Sequence, residues 1–486
     1  SRIADPDTTE DDGLWKLMIK GLPDAPFMPL HLAQAWGLVE PHHNYWLDRA
    51  GYASGDGWSE EHREELDALL AQAAEDEGRE PTFPDRAVIS IDAPTTRDVD
   101  DAFFIEPRPE GGWNLTLALA CPAYRWPFCG KLDRAVFSRA TSIYLPEATH
   151  HMLPETLGTE AYSLLAGRTR PSLLVECTVG ADGLVISCRP RLGFARLAAN
   201  LCYEDCETAL EGGESPASPY LEQLRQALAL AELHQQRRIE NGAVIIEGPD
   251  LNITLEGTGE DVTVSLSEDA PAPKAHLLVS ELMVLTNAAL AAWAKEHGVA
   301  LLHRTQDVAI PKEFAGIWKA PLDVARVVKA LAPAVLETGP KPHAGLGEPL
   351  YAPSTSPLRR YPDMINETQI ITTLREGKPR WSREELDTLL PLLNAHLDAA
   401  GQVQRFRPRY WKLLYFRQQG DRWWPAVITD ENDAFVTVNM PKEQMVVRAR
   451  RQFFGERTHP GQELEIRLGK VHPLHNDFQL VETREI

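Results

Sequence analysis

Four aspartates, Asp92, Asp98, Asp100 and Asp101, fall within ten residues, between a β-branched run at 89–91 and an apolar run at 102–105. Pro94, Thr95 and Thr96 supply a turn between them. The pattern predicts two adjacent strands with Asp92 at the end of one and Asp98, Asp100 and Asp101 at the start of the other. Carboxylates a few ångströms apart repel and raise each other's pKa. A divalent cation removes that conflict, and hard oxygen donors with no His or Cys beside them favour magnesium, with manganese as a substitute, over zinc. A solvated acidic loop is the plainer alternative, but strands flank the cluster closely on both sides. A calcium loop is excluded because Phe103 stands where its glycine is required. Oxygen-held magnesium suits hydrolysis of phosphate esters.

That chemistry also needs a cation on the phosphate as charge develops. A candidate lies far along the chain, in His343-Ala344-Gly345-Leu346-Gly347 followed by Tyr351 and by Thr355-Ser356-Pro357-Leu358-Arg359-Arg360-Tyr361-Pro362-Asp363. The glycines permit close backbone approach, and Pro357 holds Ser356 extended. Arg359 and Arg360 offer planar guanidiniums suited to bidentate phosphate contact. By itself a paired arginine is more often a surface ion-pair partner.

The net charge is −22, so the average field of the molecule repels nucleic acid. Residues 401–486 depart from it, with 14 Lys and Arg against 11 Asp and Glu. Six cysteines without any C-x-x-C pair suggest free thiols in a reducing cytoplasm, not a disulfide framework or a zinc site. The acidic N-terminus does not read as a secretion signal. The most apolar stretch, 276–294, is interrupted by Ser280, Glu281, Thr286 and Asn287, which argues against a membrane span.

Residues 1–80 read as a helical module. A helix at 31–38, a turn at Gly37 and a helix at 41–50 resemble a helix-turn-helix, with Leu32, Ala33 and Trp36 inward and Trp46 and Leu47 closing onto them. The basic recognition helix of a nucleic-acid reader is missing. An acidic helix is expected over 59–80 with Ser59 as its N-cap. Residues 81–400 read as α/β. Strand patterns at 423–428, 434–440, 444–449, 463–470 and 478–482 predict a small OB-type barrel within 401–486.

Taken together, I-D-x-x-x-T-x-D-x-D-D-A at 91–102 and H-A-G-L-G…Y…T-S-P-L-R-R-Y-P-D at 343–363 resemble the catalytic RNB domain of the ribonuclease II and ribonuclease R family. Leu132-Asp133, Thr141-Ser142-Ile143-Tyr144-Leu145-Pro146, Met152-Leu153-Pro154 and Glu281-Leu282-Met283 are similar to further family segments between them. The resemblance implies magnesium-dependent hydrolysis of single-stranded RNA from the 3′ end to nucleoside 5′-monophosphates. It implies Asp92, Asp98, Asp100 and Asp101 as metal and water ligands, with Asp100, Asp101 and Arg359 at the chemistry. It also implies RNA contacts by Tyr144, which stacks on bases, by Tyr203 near the 3′-terminal nucleotide, and by Arg360. Glu281 lies on an apolar helix face between Leu278 and Val284 and is expected either to approach the RNA 3′ end, to buttress Arg359, or to form a structural ion pair. The tail resembles an S1 domain, in which Arg448, Arg450 and Arg451, interleaved with Phe453 and Phe454, would guide RNA. The sequence departs from the family at three places. Cys121 stands where Asp-Pro is common. Asn366-Glu367-Thr368 stands where His-Arg is expected. Residues 244–246 are aliphatic where some members carry an aromatic.

The expected protein is an α+β multidomain monomer acting in RNA decay or processing, away from membranes. A mixed α/β RNB core at 81–400 lies between the helix-turn-helix-like module and the S1/OB-type β-barrel. The usual two N-terminal cold-shock barrels are not read in this sequence. Two rivals remain: a noncatalytic RNA-binding regulator on the same fold, and a DNA-binding regulator using the helical module.

Overall fold

The computed structural model describes residues 1–486 apart from Asp24 and Glu456. Its centre is a six-stranded sheet in the order Val185–Arg196, Thr169–Val179, Trp113–Ala120, Asp101–Pro107, Ile89–Asp92, Ala199–Cys202. Neighbours are antiparallel except the last pair, where Asp92 sits opposite Cys202 in a parallel register. The strand Trp113–Ala120 carries Leu115, Leu117, Ala118, Leu119 and Ala120, all buried. Thr116 between them is buried too, and a nearly continuous apolar run of this kind marks a strand covered on both faces.

Helices supply that cover. In Leu221–Glu240 the residues Leu224, Ala227, Leu230 and Ala231 recur at helical spacing and are fully buried. They pack on the strand Asp101–Pro107 and on the helix Pro273–Glu296. Burying each leucine contributes about 1.5–3 kcal/mol. The helix Pro273–Glu296 is long and apolar enough to cross a membrane by composition, yet 67% of its most apolar window is buried inside the protein. The polar residues read as interruptions, Thr286 and Asn287, are among those buried.

A 36-residue helix, Arg383–Gln418, joins the parts. Its start is fixed by a capping box, in which Ser382 Oγ accepts from the Glu385 amide at 3.2 Å and the Ser382 amide donates to the Glu385 carboxylate at 2.7 Å. The expected domain boundary at 401 falls inside this helix, so the barrel begins only at Trp423. Periodicity did not reveal this because Pro391 and Pro408 both lie within the helix. Near its C-terminal end, Leu413 and Phe416 enter the barrel core around Trp424. The five strands, Trp423–Glu431, Phe435–Met440, Met445–Arg450, Glu463–His472 and Asp477–Glu485, all match predicted segments and form one curled antiparallel sheet.

The N-terminal residues form short helices at Asp12–Met18, Met28–Ala35 and Tyr45–Ala50, then Arg63–Glu77. Several expectations need correction here. Trp36 lies beyond its helix and is 56% exposed, not inward. Ser59 does not cap a helix: it sits in a 3-10 turn, Gly57–His62, where its hydroxyl donates to the Asp56 carbonyl at 2.8 Å. The second helix of the supposed helix-turn-helix spans six residues, and Tyr45, Trp46 and Leu47 on it are buried. Its aromatics cluster with Tyr410 of the long helix. Nor does the region stand apart: Tyr52 donates to the Thr141 carbonyl at 2.8 Å, and Arg139 donates to the Ala53 carbonyl at 2.9 Å. A helix buried in this way cannot enter a DNA groove, which removes the ground for the DNA-binding rival.

Candidate active site

The first two strands of the acidic hairpin bring the aspartates to one end of the sheet. Asp92 ends the strand Ile89–Asp92, and Asp101 begins the strand Asp101–Pro107. The loop between them is pinned from below, where Ser163 Oγ accepts from the Val99 amide at 2.9 Å and donates to the Arg97 carbonyl at 2.7 Å. Asp98 and Asp100 are both buried.

The arginine turn closes over this loop. Asp100 Oδ1 accepts from the Leu358 amide at 2.8 Å, and Asp100 Oδ2 accepts from Arg359 Nε at 3.1 Å. Arg359 Nη2 donates to Ser356 Oγ at 2.9 Å, so part of the guanidinium is fixed, while 43% of the side chain stays exposed. The backbone of Arg359 is held too: its carbonyl accepts from the Ser142 amide at 2.9 Å and from Thr141 Oγ1 at 3.0 Å. Those two residues precede Tyr144, whose hydroxyl donates to Asp98 Oδ2. Tyr144 is 43% exposed, leaving ring surface for stacking. Tyr203 opens the helix that follows the strand paired with Asp92, and its ring stacks on His276 at 3.9 Å. The tyrosine's own hydroxyl is pushed up by burial and by Asp101 and Asp92 beside it.

The electrostatics are those of crowded acids. Burial pushes Asp92 up to about 6, Asp98 adds to the push, and Ser90 and Arg359 oppose it. Burial and the Asp92 charge push Asp101 up to about 7, against Arg359 and Arg360. Asp100 is raised mainly by burial, with Arg359 offsetting it. A divalent cation would reverse these shifts by favouring the charged forms. Among the described residues no three Asp, Glu, His or Cys side chains are already gathered at ligating distance, since Asp100 faces Leu358 and Arg359 and Asp98 faces Tyr144. Asp92 Oδ2, however, is buried without a hydrogen-bond partner among the described residues. An orphaned carboxylate oxygen among hard oxygen donors fits a magnesium-type ion.

A cavity of about 600 Å³ opens beside the turn, lined by Tyr144, Arg304, Arg359 and Arg360 among others. Arg304 is exposed, and sequence reasoning missed it because it is one residue of a three-residue strand. Arg360 donates to Asp363 Oδ1 at 2.7 Å, and the same oxygen accepts from the Ser356 amide at 3.0 Å. Arg360 therefore braces the turn as well as lining the cavity.

Asn287 was also missed. Its Oδ1 accepts from the Ser354 amide at 2.8 Å, and its Nδ2 donates to Tyr351 Oη at 3.1 Å and Thr355 Oγ1 at 3.2 Å. Asn366 does similar work: its amide group bonds Leu302 at both backbone atoms and the Pro353 carbonyl. The only available signal was a polar residue on an apolar helix face.

Two expected RNA contacts are corrected. Glu281 is 2% exposed and bonded to Arg238 and to His234 Nδ1, the latter at 2.7 Å. It fastens two helices and does not reach an RNA end. Arg451 is held by Glu431 at 3.0 Å and by Thr458, while Phe454 lies in the barrel core. Arg448 and Arg450 remain exposed on their strand, with Arg448 stacked 4.5 Å over Phe435.

Comparison with known proteins gives a consistent answer. A family model described as the RNB domain matches residues 82–376. The chain is 26% identical over 399 residues to an uncharacterised ribonuclease of Synechocystis, covering 81% of this chain and 58% of that one. It is 30% identical over 327 residues to exoribonuclease 2 of Edwardsiella piscicida, covering 60% and 50%. The chain thus spans about half the length of the curated relatives it matches. Among solved structures, RNase R of Mycoplasma genitalium in complex with ribose-methylated single-stranded RNA aligns with a TM-score of 0.74 at 17% identity, over 90% of this chain and 77% of that one. Yeast Ssd1, a pseudonuclease, aligns at 0.62 and 16% identity, over 82% and 53%. With that match over more than half its length, and an acidic hairpin fastened to an arginine turn, the chain belongs to the RNB-domain exoribonuclease family.

Proposed function

We propose that this protein hydrolyses single-stranded RNA from the 3′ end to nucleoside 5′-monophosphates, with magnesium in a two-metal type of site. The observation that carries the reading is Arg359 Nε at 3.1 Å from Asp100 Oδ2 across 259 residues of sequence, which sets a phosphate-binding cation against the acid cluster. Exoribonuclease and RNase R relatives support it.

In this reading Arg359 uses the exposed part of its guanidinium on the scissile phosphate, held by Asp100 and Ser356 so that little reorganisation is needed. Asp92, Asp98, Asp100 and Asp101 hold the ions. Bound magnesium supplies a water of lowered pKa and neutralises charge on the phosphate oxygens. Tyr144 stacks on a base near the 3′ end, and Tyr203 flanks the terminal nucleotide. Arg304 and Arg360 draw the backbone into the cavity, and Arg448 and Arg450 extend the basic path over an S1-like barrel. The protein works as a monomer in a reducing cytoplasm, which suits six free cysteines. Magnesium with 5′-labelled single-stranded RNA should give mononucleotides and progressive shortening from the 3′ end. RNA binding without mononucleotide release would replace this reading with a noncatalytic RNA-binding role.

A further inference from the structure

A second cleft, of about 610 Å³, lies between the 3-10 turn Pro122–Tyr124, the end of the helix Tyr361–Glu376 and the start of the long helix. Its lining is rich in cations: Arg125, Arg375, Lys378 and Arg380. Arg125 is neutralised by two bonds of 2.7 Å to Asp76. The other three have no ion pair among the described residues, although Arg375 donates to the Tyr124 carbonyl at 3.3 Å. Acids are not scarce in a chain with 71 Asp and Glu against 49 Lys and Arg. Two line this cleft, Glu376 and Glu385, and Glu385 is committed to the capping box.

Two of these cations, Arg375 and Arg380, are also held in place. Arg375 lies 4.6 Å over Tyr124, and Arg380 lies 4.9 Å over Phe128, whose ring meets Trp381 edge-on at 5.1 Å. Stacked guanidiniums lose less freedom when they bind than free ones. The same stacking covers these aromatic faces, so a nucleobase has little ring surface to use. A ligand here would be read through its charge.

We infer that this cleft binds an oligophosphate, a chain of two or three linked phosphates, through Arg375, Lys378 and Arg380. The chemistry is shared by free pyrophosphate, nucleoside di- and triphosphates, and the 5′-triphosphate end of an RNA. The site is separate from the acid cluster and does not depend on the nuclease reading.

The test is titration of the full chain, without divalent metal, followed by calorimetry and by tryptophan fluorescence. Pyrophosphate and ATP should bind and displace each other, with AMP and sulfate at least tenfold weaker. Arg375→Ala with Arg380→Ala should weaken pyrophosphate at least tenfold. Lys378→Glu should do the same, and it removes no aromatic contact, so it guards against a folding artefact. Cleavage of a short RNA carrying a 5′-hydroxyl should be unchanged in these variants. At least tenfold tighter binding of a 5′-triphosphate oligonucleotide than of ATP would identify an RNA end as the source, and equal competition by both would identify free nucleotide as sufficient. Equal affinity for sulfate and pyrophosphate, no pyrophosphate binding at millimolar concentration, or full affinity in both variants would overturn the inference.

Discussion

The Asp100 carboxylate accepts from the Leu358 amide and from Arg359 Nε at once, so one side chain of the acidic hairpin fixes both the backbone and the guanidinium of the arginine turn. Asparagine at position 100 keeps an oxygen for the amide but loses the charge. Asp100→Asn should therefore fold normally, bind RNA within a few-fold of wild type, and lose on the order of 10²–10³ or more in single-turnover cleavage rate. Asp100→Ala should lose stability as well, by about 1–3 kcal/mol, because the Leu358 amide is left unpaired. Denaturant melts alongside the cleavage assay separate the two effects.

Asn287 supports the same turn from behind. Its replacement by alanine leaves the buried Ser354 amide without its acceptor and frees Thr355 and Tyr351. The cost in stability should be about 1–3 kcal/mol. If Asn287 positions Arg359 through this turn, the rate of cleavage should fall while affinity for RNA changes little. A melt shifted as expected with an unchanged rate would confine the residue to stability.

The ion pair between His234 and Glu281 predicts a pH dependence. Burial alone would lower the histidine, but Glu281 and Glu348 outweigh it and hold its folded pKa above the ordinary 6.5. Such a group contributes stability that is fully present below 6.5 and is lost as pH rises through the raised folded value. Wild-type protein should thus lose a component of thermal stability as pH rises above 6.5 that His234→Gln lacks. Parallel melting curves for the two proteins across that range would contradict this.

Metal dependence can be read without activity. Magnesium or manganese should raise the melting temperature by binding the native state, and a chelator should reverse it. Asp92→Asn removes the carboxylate whose Oδ2 has no partner among the described residues, and should abolish most of that shift. Chelator should also stop cleavage, with magnesium or manganese but not zinc restoring it.

The acidic hairpin was legible because its parts are local: the strand pattern, the turn residues and the four aspartates lie together in the chain. The barrel strands were legible for the same reason, since period-2 alternation survives in each. For Glu281 the structural ion pair among the three expected roles is the one that forms, but its partners were not legible, because an acid on an apolar helix face states a need for a partner without naming it; Arg238 and His234 lie 43 and 47 residues away. Trp36 was misread because a six-residue second helix has too little apolar face to cover it.

The sequence alone determined which chemistry was available, namely hard oxygen donors on a strand-turn-strand unit and a stiff, proline-set turn carrying two arginines. Side-chain type and short-range backbone preference are properties of neighbouring residues, so they can be read in order. Tertiary structure decided that these two units meet, that Asn287 and Asn366 hold the turn, and that the first helices are packed into the body of the protein. Those outcomes come from burial and hydrogen-bond satisfaction among residues far apart in the chain, which only the closed fold brings within a few ångströms of one another.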